Sequence, residues 1–185
     1  GDDHRHAAIA QTADEIARFE ARHPEGTDAR LAFALLNYTG QRRADVVTMG
    51  RQHIRDGETP MLRVRQSKTG TELEIPITPP LARVLALVPK TRMTFLETSA
   101  NKPYSPAYFG NVFRAWCDEA GLPARCRAHG IRKAVATRIA DEGHGAHTIA
   151  AVTGHRRLAD VAHYTRSADQ RRNALRAAGA IGGTE

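Results

Sequence analysis

The most constraining feature of the sequence is a short segment with the pattern of β-strands, set in a chain whose other patterns are helical. Apolar and charged residues alternate in residues 62–65 and again in residues 72–77, and the turn between them contains Gly70. Period-two alternation on both sides of a glycine-containing turn predicts a β-hairpin. Pro76 favours an exposed or terminal position in the second strand, since proline cannot donate to a neighbouring strand. A further short strand is predicted at residues 94–97.

Helical patterns occupy most of the remaining chain. The first helix begins with a capping box, Thr12 to Glu15, and ends near His23. The second helix is apolar on several sides, which is typical of a buried helix, and Gly40 can end it with a left-handed cap. Helices are predicted at about residues 28–38, 42–49, 79–88, 105–120, 129–142, 147–153, 158–164 and 168–178. The sequence therefore predicts a mainly α fold with a small antiparallel β-sheet (α+β).

Length and composition fit one folded domain. The chain has 185 residues, of which 41% are hydrophobic and 25% charged, as is ordinary for a globular protein. We expect a single domain with its core at about residues 11–166 and a C-terminal tail at residues 167–185. The longest apolar run, residues 31–36, is too short to cross a membrane, and no N-terminal segment resembles a signal peptide. A cytoplasmic protein is therefore expected.

The charge balance suggests a polyanionic partner. Lysine and arginine total 27 against 20 acidic residues, which gives a net charge of +7, and all but four of the cations are arginines. Charge alone is equally consistent with a solvated basic surface. Cys117 and Cys126 are too few for a disulfide framework and lack the spacing of a zinc site, so we expect two small buried side chains.

Two polar segments place arginines on or directly after predicted helices. Arg42 follows the glycine stop at Gly40, where a guanidinium can grip a phosphate with two hydrogen bonds. His129 and Arg132 are three residues apart on one helix face, where they can bind an anion and move a proton. Taken alone, each segment is explained more simply by surface arginines, one of them paired with Asp45, and by a histidine that caps a helix.

A third segment pairs His155 with Tyr164. Nine residues on one helix would place these two side chains on opposite faces, so they converge only if the chain turns between them, as Gly154 allows. Tyr164 could then act as a nucleophile, and Lys68 at the hairpin tip could donate a proton. The simpler interpretations are a half-buried core tyrosine and an exposed turn lysine.

Taken together and in order, these residues resemble the active-site series of the tyrosine recombinases, the phage integrase family. Four segments carry the resemblance: residues 35–46 with Arg42, Lys68-Thr69-Gly70, His129-Gly130-Ile131-Arg132, and Gly154-His155 followed by Tyr164-Thr165. It extends from about residue 14 to about residue 166. Each segment is a weak signal alone, whereas six positions in order are a strong one. Ile131 and Thr153 stand where leucine is usual, and Arg43 stands where a smaller or apolar residue is common.

The resemblance implies the catalytic-domain fold of that family and a set of roles. Tyr164 would attack a DNA phosphodiester and form a 3′-phosphotyrosine, with release of a 5′-hydroxyl. Arg42 and Arg132 would clamp the non-bridging oxygens and His155 would add a hydrogen bond. Lys68 would protonate the leaving oxygen, and His129 would help accept the tyrosine proton. No cofactor or metal is implied, and the sequence shows no carboxylate cluster that could bind one.

The expected partner is double-stranded DNA bearing recombination sites, with a homotetramer on paired sites, a monomer for the isolated chain and no membrane association. From the resemblance, we expect the N-terminal DNA-binding domain typical of the family to be absent from this chain. The tail residues Leu175, Ala178 and Ile181 could dock on an adjacent protomer or on their own subunit. A type IB topoisomerase-like relaxase and a non-catalytic DNA-binding module remain alternatives, whereas a metal-dependent nuclease is disfavoured by the missing acidic cluster.

Overall fold

The structure is a computed structural model that describes residues 12–182. The predicted start of the core near residue 11 lies outside these residues. The helices are α1 Ala13–Arg22, α2 Asp28–Thr39, α3 Arg43–Val46, α4 Pro79–Leu85, α5 Pro106–Glu119, α6 Ala128–Asp141, α7 Ala146–Thr153 and α8 Ala159–Ile181. The strands are β1 Ile54–Arg55, β2 Met61–Arg65 and β3 Glu72–Pro76, and a 3-10 turn, Arg51–His53, precedes β1. The predicted mainly α fold with a small antiparallel sheet is confirmed.

The sheet is antiparallel with the strand order β1-β2-β3. The predicted hairpin forms β2 and β3, in which Leu62 lies opposite Ile75. Pro76 pairs with Met61 at the end of the edge strand, as the sequence predicts. Strand β1 was not predicted, because two residues are too few to show alternation. The strand predicted at residues 94–97 is wrong: this segment is irregular, and the Phe95 amide donates to the Met49 carbonyl at 2.8 Å.

The core is built around α2, whose residues 31–36 are all buried. The Phe19 ring on α1 stacks on Phe33 at 4.9 Å and on Phe113 of α5 at 5.6 Å between ring centroids. Burying one such aromatic side chain contributes roughly 1.5–3 kcal/mol. The faces of α1, α2 and α5 are thereby fixed relative to one another, and the C-terminal end of α2 has a defined position.

A buried polar cluster joins the start of α1 to the segment that precedes α6. Glu15 forms the predicted capping box with Thr12, accepts from Arg125 Nη2 at 2.8 Å and accepts from Cys126 Sγ at 3.1 Å. Burial alone would raise the pKa of Glu15, but these hydrogen bonds outweigh it and lower the pKa to about 2. Cys117 and Cys126 are both buried and free, as expected, and burial raises the pKa of each thiol to about 12.

Two left-handed glycines end the helices that precede candidate site residues. Gly40 ends α2 with φ 66° and Gly154 ends α7 with φ 77°. A Cβ atom at Gly154 would collide with the side-chain amide of Gln66, so glycine is required there for close approach as well as for its backbone angle. Both helix ends are therefore fixed in direction at the point where Arg42 and His155 follow.

The two C-terminal helices predicted at residues 158–164 and 168–178 are one continuous helix, α8. No glycine or proline interrupts it between Tyr164 and Ala168, and Thr165 is buried with its hydroxyl donating to the Ala162 carbonyl. Similarly, the helix predicted at residues 42–49 is reduced to the short α3. Residues 167–181 of the predicted tail are thus the distal part of the helix that carries Tyr164.

Candidate active site

Arg132 is the structural centre of the candidate site. It lies on α6, is only 4% exposed, and donates from Nη1 to the Gly40 carbonyl at 2.9 Å and from Nη2 to the Thr153 carbonyl at 2.7 Å. Because these carbonyls end α2 and α7, one guanidinium joins three helices. Burial, together with the charge of Arg42, lowers the pKa of Arg132 to about 10, so it remains a cation at neutral pH.

Arg42 lies beside Arg132, directly after the end of α2. Its Nη1 atom is buried and makes no hydrogen bond to any described residue. Within the described part of the chain, Asp45 forms no ion pair with Arg42 or Arg43, and its Oδ1 accepts from the Ser67 amide at 2.8 Å. Buried donors are almost always satisfied in folded proteins, so an unsatisfied guanidinium nitrogen indicates a place for an anionic ligand.

The turn that carries Lys68 is anchored, although Lys68 itself is exposed. The Gln66 side chain donates from Nε2 to Gln41 Oε1 at 2.9 Å and to the Thr153 carbonyl at 2.8 Å. On the other side of the turn, Arg156 donates to the Thr71 hydroxyl at 3.3 Å and to the Thr69 carbonyl. These hydrogen bonds therefore anchor the hairpin turn near the ends of α2 and α7. The backbone of Lys68 is held in place, while its side chain is exposed to solvent.

His129 lies in the first turn of α6 and lines the same groove as Arg42. Burial lowers its pKa, and the charges of Lys133, Arg132, Arg42 and Lys68 lower it further. A histidine among cations is neutral at physiological pH and can accept a proton or a hydrogen bond.

His155 follows Gly154, and its Nδ1 atom lies 2.7 Å from the Thr153 hydroxyl. Burial lowers the pKa of His155, with Arg132 and Arg42 adding to the effect. Tyr164, in α8, is half-buried, and burial raises its pKa while the charge of Arg132 acts in the opposite direction. The chain turns between His155 and α8, which is the condition that the sequence analysis gave for His155 and Tyr164 to converge. Both residues thus lie within the electrostatic influence of Arg132.

The structure brings the six predicted site residues into one cationic cluster. The electrostatic influences described above connect Arg132 with Arg42, His155 and Tyr164, and they connect His129 with Arg42 and Lys68. Their catalytic roles remain predictions. The sequence analysis missed four supporting residues: Gln41, Gln66, Thr153 and Arg156. Gln66 could have been found, because it continues the inward-facing positions of Leu62 and Val64 and a buried amide needs partners.

A groove rich in arginine adjoins the cluster. It has a volume of about 600 Å³ and lies between α3, α5 and the start of α6. Arg43, Arg114 and Arg127 line it, next to Arg42 and His129. Arg43 lies across Gly110, where a Cβ atom would meet its guanidinium. Positive charge therefore extends from the candidate site along the adjacent surface.

No group of three or more histidine, cysteine, aspartate or glutamate side chains in residues 12–182 is arranged to hold a metal ion. None of the helices described here is both long enough and apolar enough to cross a membrane.

The chain has the catalytic-domain fold of the tyrosine recombinases. The sequence profile of the Phage integrase family matches residues 7–171, so the chain belongs to the Phage integrase family. No curated protein sequence matches the chain.

Several solved structures share the fold. A lambda integrase (75-356) dimer bound to a COC′ core site superposes with a TM-score of 0.70 and 23% identity, over 85% of this chain and 59% of that one. XerA recombinase gives a TM-score of 0.74 and 17% identity, over 91% and 63%. A lambda integrase tetramer bound to a Holliday junction gives 0.65 and 25% identity, over 80% and 47%. The chain therefore spans less than two thirds of these relatives' length.

Proposed function

We propose that this chain is the catalytic part of a site-specific recombinase that cleaves and rejoins DNA strands through a 3′-phosphotyrosine intermediate. The observation that carries the proposal is the buried Nη1 of Arg42, which has no hydrogen-bond partner among residues 12–182 and lies beside the buried guanidinium of Arg132. The charge of Arg132 also acts on Tyr164. Two fixed guanidinium groups fit the non-bridging oxygens of one phosphodiester. Tyr164, whose hydroxyl can attack phosphorus, is the nucleophile in this proposal.

In the proposed reaction the Tyr164 oxygen attacks phosphorus, and the bond from phosphorus to O5′ breaks. Burial raises the pKa of Tyr164, so its hydroxyl needs an acceptor as it attacks. We assign this role to His129, which its lowered pKa keeps neutral. Lys68 donates a proton to the leaving O5′ atom. The phosphodiester energy is kept in the protein–DNA link, so a second 5′-hydroxyl can reverse the step on another strand.

Charge stabilisation in the transition state falls to the arginines and His155. Negative charge gathers on the non-bridging oxygens, and donors already fixed around that position stabilise it with little reorganisation. Arg132 has this property because two of its five N–H groups hold backbone carbonyls and the rest remain for the ligand. The cations at the site supply the positive charge that a metal ion supplies elsewhere, so we propose that cleavage needs no metal.

Double-stranded DNA is the proposed partner. The groove lined by Arg43, Arg114 and Arg127 continues the positive charge of the site and suits the phosphates that flank the scissile one. The net charge of +7 agrees with a polyanionic partner. Because one structural neighbour is a lambda integrase tetramer on a Holliday junction, we propose that this chain also acts as a tetramer on paired sites.

Covalent capture tests the function. Nicked duplexes with a randomised segment are incubated with the chain, adducts that survive denaturant are isolated, and the attached DNA is sequenced to recover the preferred site. Wild type should form adducts and Tyr164→Phe should form none while still binding DNA. Tyr108→Phe, an exposed tyrosine on α5, is the matched control and should match wild type. Wild-type adduct yield from Tyr164→Phe would exclude Tyr164 as the nucleophile.

Two additions to this assay separate the alternatives. Adduct formation that persists in excess EDTA supports the proposed mechanism, whereas loss on chelation with rescue by magnesium favours a nuclease. Transfer of the captured strand to a 5′-hydroxyl of a different duplex supports a recombinase. Exclusive rejoining of the original strand favours a topoisomerase-like relaxase.

A further inference from the structure

Thr153 makes side-chain hydrogen bonds that bear directly on the protonation of His155. It is the last residue of α7 and is only 1% exposed. Its hydroxyl donates to the Ile149 carbonyl at 3.0 Å and lies 2.7 Å from His155 Nδ1. A hydroxyl has one hydrogen, so when that hydrogen is directed to the Ile149 carbonyl the oxygen can only accept from His155. The proton on Nδ1 then satisfies both groups.

The position of this hydroxyl is fixed by the backbone of the same residue. The Thr153 carbonyl accepts from Arg132 Nη2 at 2.7 Å and from Gln66 Nε2 at 2.8 Å. A shift of Thr153 would therefore break contacts to the central arginine and to the hairpin.

We propose that Thr153 is a positioning residue that holds neutral His155 in the Nδ1–H tautomer, so that His155 donates to a phosphate oxygen only as the imidazolium. The inference rests on the proposed function. The two ring nitrogens are distinct, and the hydrogen bond made by one decides the state of the other. With its proton at Nδ1, the neutral ring presents a lone pair at Nε2, which repels a phosphate oxygen. A second proton at Nε2 converts it to a donor.

The charges around His155 make its protonation dependent on DNA. Arg132 from α6 and Arg42 after α2 oppose a positive ring, as does His163 of α8, while Asp160 of α8 favours it. A bound phosphodiester adds a negative charge that offsets the two arginines and stabilises the imidazolium. Cleavage needs a neutral His129 and a protonated His155 together, so it should be fastest above the pKa of His129 and below the pKa of His155 in the complex. Above the pKa of His155 the rate should fall about tenfold for each pH unit, since one proton is lost.

The first test measures the tautomer in the free chain. Two-bond proton–nitrogen correlation spectra of chain labelled with ¹⁵N-histidine are recorded above the histidine titration range, and the spectrum of His155→Gln assigns the ring. We expect the proton on Nδ1 in wild type and in Thr153→Ser, and a shift toward the Nε2–H tautomer in Thr153→Val. Thr137→Val is the matched control, since Thr137 makes the same backbone-directed bond, to Lys133, without contacting an imidazole. A wild-type ring with its proton on Nε2 overturns the inference.

The second test measures cleavage against pH, with the duplex recovered by covalent capture and single-turnover rates. Wild type, Thr153→Ser and Thr137→Val should lose activity above the pKa of His155 in the complex. Thr153→Val should keep a larger share of its rate at high pH, because its neutral ring can carry the proton on Nε2. Coincident profiles for wild type and Thr153→Val overturn the inference and leave the proposed function intact. A wild-type chain that forms no adduct at any pH contradicts the proposed function, and the tautomer spectra then decide the assignment of Thr153.

Discussion

Arg42 and Arg132 are neighbours that differ in how they bind the rest of the fold. Arg132 holds the carbonyls of Gly40 and Thr153, whereas the buried Nη1 of Arg42 makes no hydrogen bond to the described residues. Replacing either by lysine removes a planar fork that a single ammonium cannot reproduce. The two substitutions therefore separate binding of a ligand from support of the fold.

We expect Arg42→Lys and Arg132→Lys each to slow adduct formation by roughly a hundredfold or more, the usual effect of losing one fixed donor to a transition-state oxyanion. Only Arg132→Lys should also lower the unfolding midpoint, because it removes the guanidinium donor to the buried Gly40 carbonyl and one of the two donors to the Thr153 carbonyl. Single-turnover cleavage and thermal unfolding of both variants check this. A normal cleavage rate in Arg132→Lys would contradict the clamp role.

Glu15 gives the fold a pH dependence that is independent of DNA. Its pKa is about 2 in the folded chain against an ordinary value of 4.5, so folding favours the carboxylate. The resulting stability is fully present above about pH 4.5 and is lost as the pH falls toward 2. It amounts to about 3 kcal/mol.

We therefore expect Glu15→Gln to lower the free energy of unfolding at pH 7 by about 3 kcal/mol and to flatten its dependence on pH between 4.5 and 2. Urea unfolding at a series of pH values measures both effects. Glu119→Gln is the control, because Glu119 forms only an exposed ion pair with Arg22 and should change stability by less than about 1 kcal/mol. Equal pH slopes in wild type and Glu15→Gln would contradict the assignment.

At the scale of elements, the sequence predicts best where the signal is local. The capping box of α1, the glycine end of α2 and the alternation of β2 and β3 depend on residues a few positions apart, and all three are found. The two-residue β1 and the continuity of α8 carry no such local signal. The motif order predicts a set of site residues, and that set stays a prediction. The residues that support them depend on long-range contacts such as the hydrogen bond from Gln41 Nε2 to the Val152 carbonyl, 111 residues apart.

The β2–β3 hairpin is the element on which the leaving group depends, because it carries Lys68. We expect Arg156→Ala to slow cleavage about tenfold by releasing the turn at Thr69 and Thr71, at a cost of about one hydrogen bond. A substrate with sulfur in place of the leaving O5′ needs no proton donor and should restore most of the rate. Arg157→Ala, which removes the adjacent exposed arginine, should behave like wild type. If the Arg156→Ala variant is equally slow with the sulfur substrate, Arg156 does not act by positioning Lys68 for protonation of the leaving group.

At the scale of the whole molecule, the distal part of α8 is not covered by any other segment within residues 12–182. The helix packs on α6 as far as Arg172, which donates to the Ala140 carbonyl at 3.1 Å and pairs with Asp169. Beyond Arg172 every described residue is exposed, with Leu175 at 66% and Ile181 at 81%. Because the packed half already provides the helix nucleus, the exposed turns form without a separate nucleation cost. We propose that they serve assembly and not folding.

Deletion of residues 173–185 should therefore leave the unfolding midpoint within about 2 °C of wild type, since it removes almost no buried contact. It should weaken assembly on a duplex with paired recovered sites, as measured by sedimentation velocity, because Leu175 and Ile181 can no longer dock on a neighbouring protomer. Leu175→Ser should reproduce part of this loss in the intact chain. Deletion of residues 169–185 also removes Arg172 and should lower the unfolding midpoint. The difference between the two deletions would show that the contacts that stabilise the fold end near Arg172. Unchanged assembly after deletion of residues 173–185 would show that this helix end does not couple the subunits.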